Sequence, residues 1–221
     1  MEVFIFVLVG WIFSVCLHEF GHAIVAYKFG DYTVKEKGYL TMNPIHYTHP
    51  MTSIILPILF MLMGGIGLPG GAVYIEDALI HGKGRRALVS LAGPAMNCLF
   101  ALLLCVPFWT GLVTAETRNL VPTALAMLIS LQVSAVLFNL LPVPSLDGFR
   151  ALSEWLPQEW KEFGWRHANI FMFALFALFW QVPLINAVFW GVVYLICDLL
   201  GIDSGLIEHG WDQFRFWNEQ G

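Results

Sequence analysis

Three stretches of this chain are apolar for long enough to cross a bilayer as helices, and that limits what it can fold into. A hydrocarbon core about 30 Å thick needs roughly 20 apolar helical residues. Residues 3–27, 88–112 and 119–141 each supply them. The stretch 168–200 is apolar for longer than one span requires, and Gln181 and Pro183 divide it. One helix to about residue 181 and a second, shallow helix after it are expected. Only 12% of the residues are charged, against about 25% in ordinary soluble domains. The expected fold class is an all-α polytopic membrane protein with about four transmembrane helices.

Between the first two spans lies MTSIILPILFMLMGGIGLPGGAVYI, residues 51–75. Its apolar run is interrupted by Pro57 and Pro69 and ends in Gly64, Gly65, Gly67, Gly70 and Gly71, a density that opposes a regular spanning helix. AVYI reads as a strand. The segment is expected to be re-entrant and partly β, entering and leaving on one side. Basic residues favour the same choice. If 51–75 does not cross, Lys28, Lys35, Lys37, Lys83, Arg85, Arg86, Arg150, Lys161 and Arg166 share one side, with Arg118 alone opposite. The positive-inside tendency then puts the N-terminus outside and the basic loops in the cytoplasm.

The remaining composition narrows the class further. A net charge of −5, spread along the chain, gives no support for a nucleic-acid partner. Cys16, Cys98, Cys105 and Cys197 all lie in apolar stretches without a CxxC pair and read as free thiols. The N-terminus lacks a basic n-region and a small-residue cleavage site, so a retained helix is expected. No repeat or separable soluble module is visible. The expectation is one membrane-embedded domain over 1–221, with its core in 1–150 and C-terminal helices in 168–200.

Within the first span, CLHEFGHAIVAY places two histidines and a glutamate in five residues. On a helix His18 and His22 project from one face, a turn apart. That spacing suits two imidazoles on one zinc ion, with Glu19 beside them to take a proton from water. A chance match in an inert helix is the bland alternative. Unpaired polar groups in a bilayer cost several kcal/mol each, so these three need a compensating partner, and a metal is the most economical. Zinc needs a third protein ligand. The candidate is Asp147 in FNLLPVPSLDGFRAL, where Pro142 and Pro144 stop the preceding helix. Irregular backbone at membrane depth is tolerated only where it lines an enclosed or water-filled cavity. An ordinary Asp-Gly turn at the interface is the competing reading.

HEFGH, LAGPAMN at 91–97 and FNLLPVPSLDG at 138–148 together resemble the three signatures of site-2 proteases, the intramembrane zinc metalloproteases. GYLTMNPIHYTHP and GLPGGAVYI are similar to small members of that family without PDZ or CBS domains. The resemblance spans about residues 10–150. It implies zinc bound by His18, His22 and Asp147, Glu19 as catalytic base, and Asn139 engaging the substrate backbone, with Asn97 of GPxxN assisting. Substrates would be single-pass membrane proteins, such as membrane-bound regulators, anti-sigma factors or signal-peptide remnants. The implied setting is a prokaryotic inner membrane, with the active site toward the cytoplasm and the lipid bilayer as surroundings.

A helical substrate must unwind before attack, and GAVYI at 71–75 is the candidate edge to receive it. The chain departs from the NPxxHxDP pattern of relatives at Tyr47 and His49. His46, His49, His81, His167 and His209 read as loop or surface histidines, and the tryptophans as interface anchors. Two alternatives remain. One is a catalytically silent homologue that binds membrane helices; it would typically lack Glu19 or a ligand. The other is a membrane metal-binding protein or transporter; it would need a polar path beyond Asn97, Ser130, Gln132, Ser134 and Asn139.

Overall fold

The computed structural model describes residues 1–43, 73–114 and 119–215. Helix α1 runs Glu2–Lys28 and is followed by a short α2, Thr33–Glu36. After a 3-10 turn at Asp77–Leu79 come α3, Lys83–Trp109, and α4, Leu120–Asn139. Two short helices follow, α5 at Asp147–Ser153 and α6 at Gln158–Arg166. The chain ends in α7, Ala168–Gln181, α8, Pro183–Leu199, and α9, Ser204–Phe214.

Helices α1, α3 and α4 are each long and apolar enough to cross a membrane. Helices α7 and α8 qualify only together, and they bend by 90° at their junction. Pro183 opens α8, where its missing N–H costs nothing and its fixed φ suits a first helical turn. The break expected from Gln181 and Pro183 is therefore present, and the described residues hold three helices able to span a membrane, or four spans if the bent pair counts as one.

Helix α4 is the axis of the bundle. Every residue from Pro122 to Ala135 is buried, as befits a helix that is apolar all round. The N-terminal half of α1 packs on it through Val3, Val7 and Trp11, in one apolar cluster with Met127, Ile129, Cys197 and Phe214. Phe4 and Phe214 bring their rings to 5.0 Å, tying α9 to the start of the chain. On the outside, Val9, Phe13, Leu99, Leu103 and Phe173 are exposed. Large apolar side chains directed outward from long apolar helices belong against lipid, so this is an integral membrane protein. The cysteines are free, and Cys16, Cys105 and Cys197 are buried.

The β expectation is corrected. Most of 51–75 lies outside the described residues, as do His46, Tyr47 and His49. Residues 73–75 are described, and neither they nor any other described residues form a strand. Their backbone is satisfied by side chains instead of by a ladder. Val73 N–H donates to Glu19 Oε2 at 3.1 Å, and Tyr74 C=O accepts from Lys37 Nζ at 3.1 Å. Next to them, Glu76 N–H donates to the fully buried Asp31 at 2.9 Å.

Candidate metal centre and active site

The C-terminal half of α1 buries His18, Glu19 and His22 to 5% exposure or less. Helix α3 covers them, and LAGPAMN is the covering surface. A Cβ on Gly93 would overlap the Nε2 atoms of both His18 and His22. Only glycine leaves room for the two imidazole tips there.

Asp147 arrives from the other side. Pro142 and Pro144 end α4, Ser145 takes a positive φ of 83°, and α5 begins at Asp147 itself. The returning chain lies hard against the end of α4, since a Cβ on Gly148 would overlap the Leu140 carbonyl. This tight reversal sets the Asp147 carboxylate facing the histidine pair. Its Oδ2 lies 3.2 Å from His18 Nε2 and its Oδ1 lies 3.4 Å from His22 Nε2. The two Nε2 atoms are 3.1 Å apart.

The protons decide what such a cluster can hold. His22 Nδ1 is 2.7 Å from the Val89 carbonyl, which only accepts, so Nδ1 carries the proton and Nε2 presents a lone pair. His18 Nδ1 donates to Asn97 Oδ1 at 2.5 Å, which frees its Nε2 in the same way. Two imidazole lone pairs and a carboxylate thus converge with no proton between them, and Asp147 Oδ2 is buried without a hydrogen-bond partner among the described residues. Neutral acceptors and an anion packed this closely call for a cation. Zinc bonds of about 2.0–2.1 Å in a tetrahedron separate ligand atoms by roughly 3.3–3.4 Å, close to the separations seen. The donor set fits zinc. Among the described residues, His18, His22 and Asp147 are the one group of three that can hold a metal ion.

The cluster opens on a cavity of about 340 Å³ that Glu19, Val73, Asn139 and Ser145 also line. Asn139 lies at this wall as the sequence anticipates, with its Nδ2 donating to Ala135 C=O at 3.0 Å. Asn97 does not reach the described wall. It stands behind His18, where Nδ2 donates to Ser14 Oγ at 2.8 Å and to Gln132 Oε1 at 2.9 Å. Arg150, Trp165 and Met172 also line the cavity, and no motif marks them as site residues. His167 and His209 are engaged locally, with Phe163 C=O and Gln213.

Residues 4–121 match the family described as Peptidase family M50. The chain is 43% identical over 216 residues to the Rip2 protein of Mycobacterium tuberculosis, covering 98% of this chain and 82% of that one. It is 42% identical over 227 residues to Rip2 of Mycolicibacterium smegmatis, with the same coverage. To YwhC of Bacillus subtilis it is 31% identical over 195 residues, 84% of each chain. All three carry the name of a zinc metalloprotease. No solved structure matches the chain. The family match runs through both histidines and the LAGPAMN helix against them, the Rip2 likeness carries it past Asp147 to nearly the whole length, and the chain therefore belongs to Peptidase family M50.

Proposed function

We propose that this chain is an intramembrane zinc metalloendopeptidase in which His18, His22 and Asp147 hold the ion and Glu19 is the general base. One observation carries the reading: three electron-pair donors converge at 3.1–3.4 Å with no proton to share. When bound, zinc supplies Lewis-acid polarisation of the scissile carbonyl and acidifies a water molecule.

The chain's own residues do the rest. Glu19 borders the same cavity and takes the water proton on one carboxylate oxygen, later giving it to the leaving amine. Its other oxygen is held by the Val73 N–H, which fixes the carboxylate in place. Asn139, at the cavity wall, holds the substrate backbone once the substrate helix has unwound. Asn97, bonded to His18 instead, is assigned no contact with substrate.

Single-pass membrane proteins are the proposed substrates. The whole of 1–221 acts as one membrane-embedded domain, with the metal centre in 1–150 and α7 and α8 within 168–200. By the positive-inside tendency Lys35, Lys37, Lys83, Arg85, Arg86 and Arg150 share the cytoplasmic face of a prokaryotic inner membrane. The active site opens toward that face. The silent-homologue reading is disfavoured because Glu19 and all three ligands are present. A transporter reading is disfavoured because Ser130 and Ser134 turn their hydroxyls back to the α4 backbone.

The test is zinc per polypeptide in detergent-purified wild type and Asp147→Ala, followed by cleavage of a single-pass substrate in proteoliposomes with Glu19→Gln as control. Near one zinc in the wild type, sharply less in Asp147→Ala, and cleavage absent only in Glu19→Gln among metal-loaded proteins is the expected result. A metal-replete wild type that holds no zinc sinks the proposal.

A further inference from the structure

Helix α4 carries one amide deep in its apolar run. Gln132 is fully buried, and Ser14 and Asn97, with which it bonds, are 1% and 3% exposed. Its Oε1 accepts from Asn97 Nδ2 at 2.9 Å and from the Ser14 hydroxyl, while its own Nε2 has no partner among the described residues. The amide thus leaves its donor end unpaired and presents its acceptor end to Asn97. Burying an unpaired N–H is unfavourable, so the acceptor end has a use.

That use is visible one bond further on. Asn97 Nδ2 has two hydrogens, and both are spent, on Ser14 Oγ and on Gln132 Oε1. The Asn97 amide is therefore oriented with Oδ1 toward His18 Nδ1. Were the amide reversed, Nδ2 would donate to His18 Nδ1, and the imidazole proton would move to Nε2. A protonated Nε2 cannot bind a metal. Reversal of Asn97 alone would set its Oδ1 against Gln132 Oε1, two acceptors with no proton between them, so Asn97 keeps its orientation as long as Gln132 keeps its own.

We propose that Gln132 and Ser14 are positioning residues for the metal centre: by fixing the orientation of the Asn97 amide they hold His18 in the tautomer that leaves Nε2 free for zinc. The inference rests on His18 being a zinc ligand. It joins three spans, because Ser14 and His18 lie on α1, Asn97 on α3 and Gln132 on α4. Packing of α4 against α1 and α3 is thereby coupled to the readiness of the site.

The experiment is zinc affinity at one fixed pH, by chelator competition on detergent-purified full-length protein. It compares wild type, Gln132→Met, Gln132→Leu, Asn97→Asp, both double variants and His22→Ala. An aspartate at 97 accepts from His18 Nδ1 whichever way it turns, so it no longer needs Gln132. Either single change at Gln132 is expected to weaken zinc about 10-fold. In the Asn97→Asp background the same change is expected to alter affinity by less than about twofold. Having two apolar replacements keeps the test alive if one folds poorly. An equal loss in both backgrounds means that Gln132 only supports packing, and no loss in either means that Asn97 orients without it; both overturn the proposal. His22→Ala separates the two levels. If it loses zinc while the Gln132 variants behave as wild type, the metal site stands and the relay falls. If it keeps zinc, the site reading falls and the relay falls with it.

Discussion

The backbone N–H of Val73 donates to Glu19 Oε2 across 3.1 Å, joining a carboxylate in the first span to the chain that leads into the second. A bond from a neutral donor to a buried carboxylate is charge-assisted and short of competitors. It also holds one of the two oxygens, so the carboxylate cannot spin away from the cavity. Val73→Pro removes the N–H, whereas Val73→Ala keeps it. Cleavage of a membrane substrate is expected to fall about 10-fold in the proline variant, less than the roughly 10²–10⁴-fold that a general base contributes, because the base stays and only its orientation is loosened. The alanine variant should stay near wild type, and zinc content should be unchanged in both. Equal rates in the two variants would show that the tie is incidental.

Gly93 gives a steric test of the metal centre. A methyl group there would overlap the Nε2 atoms of both histidines, which are the atoms assigned to the ion. Interiors do not yield by that much without moving side chains or helices. Gly93→Ala is expected to lower zinc affinity by about 10-fold or more while the protein stays monodisperse in detergent. Chelator competition checks it; an unaltered affinity would mean that the imidazoles turn aside freely.

The three residues that converge, His18, His22 and Asp147, were legible because each lies in a short segment whose chemistry is local. His18 and His22 share a face at i, i+4, and Asp147 follows two prolines that must end a helix. The break between α7 and α8 was legible for the same reason, since Pro183 acts on its own neighbours. The β expectation failed, over the described residues 73–75, at the level of partners. AVYI reads as a strand, but whether backbone groups pair with a strand or with Glu19 and Lys37 depends on what other segments deliver. Gln132 shows the same limit. A glutamine in an apolar span announces a polar partner, yet only the rotation of α1, α3 and α4 about their axes names it as Asn97.

Ser145 holds φ at 83°, a region that costs a non-glycine residue about 1–2 kcal/mol. It does so one residue before Leu146, in the reversal that delivers Asp147 to the histidines. Glycine would adopt the same backbone without that penalty, although it also widens the unfolded ensemble. Ser145→Gly is expected to be neutral to about 1 kcal/mol stabilising, with zinc content retained, while Ser145→Val destabilises. Thermal unfolding in detergent reads both, and a stabilised valine variant would contradict the strain.

Outside the spans, Glu154 fastens the segment after Asp147 to the start of α3. Its side chain is 4% exposed and takes Arg86 Nε at 2.5 Å and Lys161 Nζ at 2.9 Å. Burial pushes the carboxyl up, but bonds from Lys161 and Arg86 outweigh it and hold the group below the usual glutamate range. A carboxylate depressed on folding stabilises the native state above its unfolded pKa, near 4.3, and that contribution is lost as pH falls through the lower folded value. Glu154→Gln is therefore expected to cost about 1–3 kcal/mol at pH 7. The gap between wild type and variant should hold constant down to about pH 5 and shrink steadily below about 4.3. Denaturation midpoints across that range check it. A gap of the same size at both ends would mean that the carboxyl's shape, not its charge, ties α5 and α6 to α3.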